Sequence, residues 1–323
     1  MLPQEFAKPP PRLILAASGA GVAGYWGWGY IKGLLEAGIE PDENYLISSH
    51  GLLVLFDFYD RNIREFEEDF VLPMSDRIRI RPWSYIFRRI VPTPLRKHIQ
   101  DTFSSADVFK TSDGRTVITD PPLVDATGLA DKIEELTKSK LVRDLNPKHN
   151  IFVGSYEDLK YHNLKEFPDM PLRDAIIATI AMPGLFRPVK YRNHILVDGG
   201  AIYSVPPIDK TSDDGNTTII SLRIPSAREK KYDFRGYLGL ISQISLDMEI
   251  REREQMKDTI LQKTGMRIEL KTTALPHFLY VEPILKNVPA FKTELPMPDR
   301  KRLIAEGYSQ FQEHLKYFRL SSA

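Results

Sequence analysis

Three segments of the sequence carry residue types that together can perform acyl transfer. The first is Ser18-Gly19-Ala20-Gly21-Val22-Ala23-Gly24. Backbone N–H groups of a glycine loop that opens a helix can cradle an anion, either a dinucleotide pyrophosphate or the oxyanion of a tetrahedral intermediate. A dinucleotide site also asks for an acidic residue at the end of the second strand. That strand instead runs into Ser49-His50-Gly51, and the nearby acids Asp42 and Glu43 precede it. The second segment is Ile47-Ser48-Ser49-His50-Gly51, where a serine on a tight strand-to-helix turn is presented for attack. A serine there is also an ordinary helix cap. The third is an apolar stretch, Ile195-Leu196-Val197, that ends in Asp198-Gly199-Gly200. Asp and Gly favour turns, and a strand end is also where an α/β enzyme places its base. Taken in chain order, the segments supply an oxyanion cradle, a nucleophile and a base.

The elements that must position these groups are legible as a coarse alternation. Strands are expected at 13–17, 45–48, 195–197, 218–222 and 278–281, with a further apolar run at 151–154. Helices are expected at 24–37 (closed by Gly38), from about 51, and at 129–138, 172–180, 237–263 and 299–318. Asp113-Gly114 between 108–111 and 116–119 predicts a hairpin. Strands alternating with helices predict an α/β fold: three layers, α/β/α, around a mostly parallel central sheet with a helical insertion. We expect one domain over 1–323, with the motifs in 12–210, an insertion or cap at 60–125, and the remainder of the fold in 211–323.

Composition narrows the chemistry further. The 323 residues include no cysteine, which removes disulfides, thiolate nucleophiles and Cys-ligated metals. It also fits a reducing compartment, so a cytoplasmic protein is expected. The histidines at 98, 149, 162, 194, 277 and 314 show no metal-ligand spacing, and neither a metal nor a cofactor is expected. Residues 13–31 carry no charge but include five glycines, which suits a strand, a loop and a short helix better than a membrane span. The N-terminus, with Glu5 and three prolines at 9–11, does not read as a secretory leader. The formal net charge of +1 gives no reason to expect nucleic acid as a partner.

With these residues in view, the chain resembles the patatin-like phospholipase family over roughly 12–210. The glycine loop of that family is matched by 19–24, its following helix by Tyr30–Ile39, and its Gly-x-Ser-x-Gly turn by 47–51. Its Ala-Ser-x-Ala-x-Pro-x-x-Phe-x-Pro segment is matched from Ala178 through Pro183 and Phe186 to Pro188, and its Asp-Gly-Gly by Asp198–Gly200, with Pro206 following. The resemblance implies a serine lipid acyl hydrolase of the phospholipase A or lysophospholipase type, with a Ser–Asp dyad in place of a triad. Counting back from Gly51 puts its serine at Ser49 and its base at Asp198. The oxyanion hole would be Gly19, Ala20 and Gly21, supported by Gly51, Pro183, Gly199 and Gly200. Asp198 would need partial burial to become basic enough. Ala20, Ala23 and Ile47 depart from the family pattern. A second expectation therefore stands beside the first: a patatin fold that has lost catalysis and binds a lipid or a partner.

Residues 77–97 hold seven basic and no acidic residues, which leaves the rest of the chain at −6. Arg77, Arg79, Arg81, Arg88 and Arg89 interleave with Trp83, Tyr85, Ile86 and Phe87. That mixture suits peripheral contact with an anionic membrane carrying a phospholipid or other acyl-ester substrate. It equally suits a face that pairs with the acidic stretch 64–69.

Overall fold

A computed structural model describes residues 12–19, 21, 24–80, 107–110, 116–119, 124–155, 160–182, 185–201, 206, 217–222, 278–281 and 295–320. The strands are β1 (Arg12–Ala17), β2 (Glu43–Ile47), β3 (Arg79–Ile80), β4 (Asp107–Lys110), β5 (Thr116–Thr119), β6 (Val124–Asp125), β7 (His149–Ser155), β8 (Tyr161–Asn163), β9 (Val189–Tyr191), β10 (His194–Asp198), β11 (Thr217–Leu222) and β12 (Phe278–Val281). The helices are α1 (Gly24–Glu36), α2 (Ile63–Phe66), α3 (Thr127–Thr137), α4 (Leu172–Thr179) and α5 (Met297–Leu320). The main sheet runs β12-β11-β1-β2-β7-β10-β9, and β8 also pairs with β7. Its first five strands are parallel, while β8, β10 and β9 join antiparallel. The molecule is thus a mixed α/β structure around a central sheet.

Side chains alternate across the strands as the pleat demands. Leu15, Ala17, Leu46, Ile151, Val153, Leu196, Ile220 and Leu222 face the large core formed with the helices. Ile14, Ala16, Tyr45, Ile47, Phe152 and Ile219 form a smaller buried cluster on the opposite face. The helix expected at 237–263 lies outside the described residues.

Helix α1 is buried almost all round, with Tyr25, Trp26, Trp28 and Tyr30 among the most deeply buried side chains. Each polar tip has a partner, as buried Tyr and Trp require. Trp28 Nε1 donates to Glu67 (3.0 Å), Trp26 Nε1 donates to Gln310 (3.2 Å), and Tyr25 and Tyr30 pair with Ser75 and His314. Glycine inside a helix costs about 1 kcal/mol against alanine, yet α1 contains several. Their purpose is close approach to α5. A Cβ on Gly29 would stand 2.0 Å from the Ile304 carbonyl oxygen, and one on Gly307 would stand 2.0 Å from that of Trp26. The two backbones therefore lie nearly in contact, which fixes α1 and the glycine loop that opens it.

Most expected elements stand within a few residues of their positions, including the hairpin β4–β5. Three differences have physical causes. After β2 the chain winds as a 3₁₀ helix over Ser48–Tyr59 rather than an α-helix. Among the described residues of the insertion, α2 continues into a π-helical turn, Glu67–Val71, and a short 3₁₀ helix follows at Met74–Arg77. Its other described parts are the pairs β3–β6 and β4–β5. Strands β8 and β9, three residues each, are too short to show a period of two. Buried Arg300 at the start of α5 ties the insertion down. It donates to the carbonyls of Leu295 and Leu72 (2.6 Å each) and pairs with Asp76.

Candidate active site

Strands β1, β2 and β10 bring the three motif segments to one end of the sheet. Leaving β2, the chain turns at Ser48, which adopts φ 57°, a left-handed conformation that few non-glycine residues hold. Such strain is characteristic of a serine displayed between a strand and a helix. Ser48 Oγ donates to Asp198 Oδ2 at 2.7 Å. The other carboxylate oxygen accepts from Gly200 N–H, also at 2.7 Å, so Gly200 fixes the carboxylate and leaves Oδ2 to the serine. Thr179, the last residue of α4, donates to the Ser48 carbonyl (3.2 Å) and to that of Ile176 (2.8 Å). This anchors the turn from below.

The electrostatics follow from burial. Asp198 is 1 % exposed. Burial pushes its carboxyl up to about 7, against the lowering influence of the hydrogen bonds from Ser48 and Gly200. Among the described residues, no cation contributes to that shift. Asp198 is thereby protonated more readily than an ordinary aspartate.

The structure corrects the expected partner of that base. Ser49 was expected from Gly-x-Ser-x-Gly spacing, but its side chain turns toward the start of α1. A Cβ on Gly24 would stand 2.8 Å from Ser49 Oγ. That hydroxyl is buried and has no hydrogen-bond partner among the described residues. Consecutive residues in a turn point in different directions, and the one at positive φ faces the base. Centred on Ser48, the pattern reads Leu46-Ile47-Ser48-Ser49-His50, so both glycine positions are filled. Leu46 belongs to the core, and His50 packs against α1. Ile47 meets no obstacle, because its side chain enters the smaller cluster on the far face. Gly51 packs against Thr179, where a Cβ would be 2.8 Å from its Oγ1.

Of the expected oxyanion residues, Gly19 lies beside the dyad: a Cβ there would be 3.3 Å from Ser48 Cβ. Gly21 is exposed with φ 50°. Ala20 and Pro183 lie outside the described residues. Gly199 packs on β7, where a Cβ would stand 2.7 Å from the Phe152 carbonyl. The roles of Thr179 and His50 were not foreseen. The occurrence of Thr179 inside the 178–188 motif was the only available signal for the first.

The basic segment is represented by Arg77 and Arg79. Arg77 is turned inward, donating to the Asp69 carbonyl (2.8 Å) and lying over the Phe70 ring. The internal pairing with the acidic stretch therefore holds for this residue. Arg79 is exposed. Arg81, Trp83, Arg88 and Arg89 lie outside the described residues. Among those described, no helix is long and apolar enough to cross a membrane, and no cluster of three or more acidic or histidine side chains is arranged to hold a metal.

The sequence pattern of the patatin-like phospholipases matches residues 15–209. No curated protein matches the sequence. Among solved structures, VipD from Legionella pneumophila is 14% identical, with 95% of this chain and 67% of that chain covered and a TM-score of 0.41. The type III effector ExoU is 13% identical, with 96% and 53% covered and a TM-score of 0.42. ExoU in complex with SpcU, from Pseudomonas aeruginosa, is 16% identical, with 96% and 52% covered and a TM-score of 0.36. This chain thus spans about two thirds of VipD and about half of ExoU.

Proposed function

The chain belongs to the patatin-like phospholipase family, and from the geometry around Asp198 we propose that it hydrolyses acyl esters of lipids with Ser48 as nucleophile and Asp198 as base. The observation that carries this reading is the 2.7 Å hydrogen bond from Ser48 Oγ to a buried carboxylate of raised basicity. Ser48 Oγ adds to the ester carbonyl carbon as its proton passes to Asp198 Oδ2. The carbonyl electron pair moves onto oxygen, where N–H groups of the 19–21 loop receive it. Collapse expels the alcohol, which takes the proton from Asp198 and leaves an acyl-serine. Water then adds to that acyl group, giving a proton to Asp198. A second collapse releases the fatty acid and returns the proton to Ser48. No step requires a metal or a cofactor.

Phospholipids and lysophospholipids are the substrate class this reading favours, presented at an anionic membrane surface near the exposed Arg79. A second reading is a catalytically impaired lipid-binding protein. The specific observation behind it is Leu46 and His50 at both glycine positions of the Ser48-centred turn. Fluorophosphonate labelling separates the two. The expected outcome is labelling of the native protein that Ser48→Ala abolishes and Ser49→Ala leaves intact. Native protein that stays unlabelled, or labelling that survives Ser48→Ala, overturns the proposal.

A further inference from the structure

The second glycine position of the Ser48-centred turn is occupied by His50, a fully buried side chain. Its Nδ1 lies 2.6 Å from the carbonyl oxygen of Ser18, the residue that joins β1 to the glycine loop. A carbonyl can only accept, so Nδ1 carries the proton. Burial pushes the imidazole down to about 4, so at neutral pH the ring holds that one proton. Its Nε2 is buried without a partner among the described residues and faces Gly27 of α1, where a Cβ would stand only 1.9 Å away. Space for the ring therefore exists because residue 27 is glycine.

The peptide bond after Ser18 is trans and planar, as are all those described. Its carbonyl and the Gly19 N–H then point in opposite directions. Holding the carbonyl against His50 turns the Gly19 N–H to the other side, away from α1. Gly19 is the loop residue beside Ser48, and among the described residues nothing accepts from its N–H. We propose that His50 is a positioning residue for the oxyanion hole: its N–H locks the Ser18–Gly19 peptide so that the Gly19 N–H is presented to the developing oxyanion. The inference rests on the Ser48 hydrolase reading and deepens it. It also gives a use to a histidine where the family pattern has glycine.

The test is steady-state hydrolysis of a p-nitrophenyl fatty-acid ester by the full chain. Loss of one oxyanion donor costs roughly 10²–10³ in rate. His50→Leu, which keeps bulk and loses the donor, is expected to lower kcat by about 10²-fold with little change in KM. His50→Asn places an amide N–H near the position of Nδ1 and is expected to restore most of the rate. Gly27→Ala pushes the ring off the Ser18 carbonyl and is expected to lower kcat in the native background. In the His50→Asn background the shorter side chain leaves room, so the same alanine costs little, and the two sites couple.

Native kcat in His50→Leu, or equal losses in His50→Leu and His50→Asn, overturns the inference. If His50→Leu does not fold, as judged by thermal unfolding, the Gly27→Ala and His50→Asn cycle decides, and additive effects there overturn it. A native protein that neither hydrolyses the ester nor reacts with the fluorophosphonate overturns the hydrolase reading and this inference with it. An active native protein indifferent to His50 overturns the inference alone.

Discussion

Two aspartates, buried Asp198 of β10 and half-buried Asp57 of the helix that follows β2, lie near opposite ends of strand β2 and are held in opposite ways. At the C-terminal edge, Asp198 receives only neutral donors, Ser48 Oγ and Gly200 N–H, and burial raises its carboxyl to about 7. At the N-terminal edge, Asp57 accepts from His149 Nε2 at 3.0 Å, and His149 Nδ1 in turn contacts Asn44 Nδ2 at 3.0 Å. Burial pushes the Asp57 carboxyl up as well, but the hydrogen bond from His149, with Lys148 and Arg61 nearby, holds it below the usual range. Two hydrogen-bonded aspartates on one strand's flanks thus serve different ends. Asp57 is a stabilised anion that gives up nothing, whereas Asp198 is an uncomfortable one, poised to accept a proton.

The largest effect that would break this comparison lies at the dyad. Ser48→Ala is expected to reduce ester hydrolysis by at least about 10³-fold, while Ser49→Ala stays within a few fold, as measured by initial rates. Equal losses would mean that the elbow geometry, not the hydroxyl facing Asp198, matters.

Next comes pH. Asp198 must be ionised to accept the serine proton, so kcat/KM is expected to rise with pH through about 7. A flat profile between pH 5 and 9 would assign the proton to another group. Stability runs the other way. Because the folded carboxyl is raised above its unfolded value of 3.8, folded protein holds the extra proton between the two values, and stability falls as pH rises through about 7. Asp198→Asn is therefore expected to melt above the native protein at pH 8, with the difference shrinking at pH 5. A variant that is less stable at both would show that the carboxylate is not strained.

Smaller effects sharpen the other half. Asp57→Asn is expected to cost about 1 kcal/mol, roughly one hydrogen bond, in chemical denaturation while leaving hydrolysis unchanged. Altered kcat would tie the two edges together. Smallest is the surface effect. Arg79→Gln is expected to weaken binding to anionic vesicles slightly at low salt, each basic residue near the surface contributing about 1 kcal/mol. Binding that is insensitive to salt would remove the electrostatic contact.

Much of this architecture is visible in the residues themselves. The apolar runs that became β1, β11 and β12 needed no tertiary information, since each reads as a short apolar or β-branched run bounded by polar or turn residues. Helix α1 was legible from its apolar pattern and from Gly38, which takes φ 71° as a helix-ending glycine does. Its internal glycines looked like a weakness until α5 was seen lying against them. Short strands such as β8 exist only because β7 offers a pairing edge. Asp198 was legible as a candidate base because an apolar strand ends in Asp-Gly-Gly. The choice between Ser48 and Ser49 was not legible from spacing to a glycine, because Gly51 points to Ser49 whereas the backbone turn at Ser48 aims that hydroxyl at Asp198.

By itself the sequence determined the order of the elements, the glycine loop after β1, a serine pair after β2 and the aspartate that ends β10. These depend on local pattern: period, turn chemistry and backbone freedom. Only the tertiary structure decided which hydroxyl meets the carboxylate and how basic that carboxylate is. Both depend on what surrounds a side chain from elements far away in sequence. The turn sends one serine toward Asp198 and the next toward α1, and burial without a cation raises the Asp198 carboxyl.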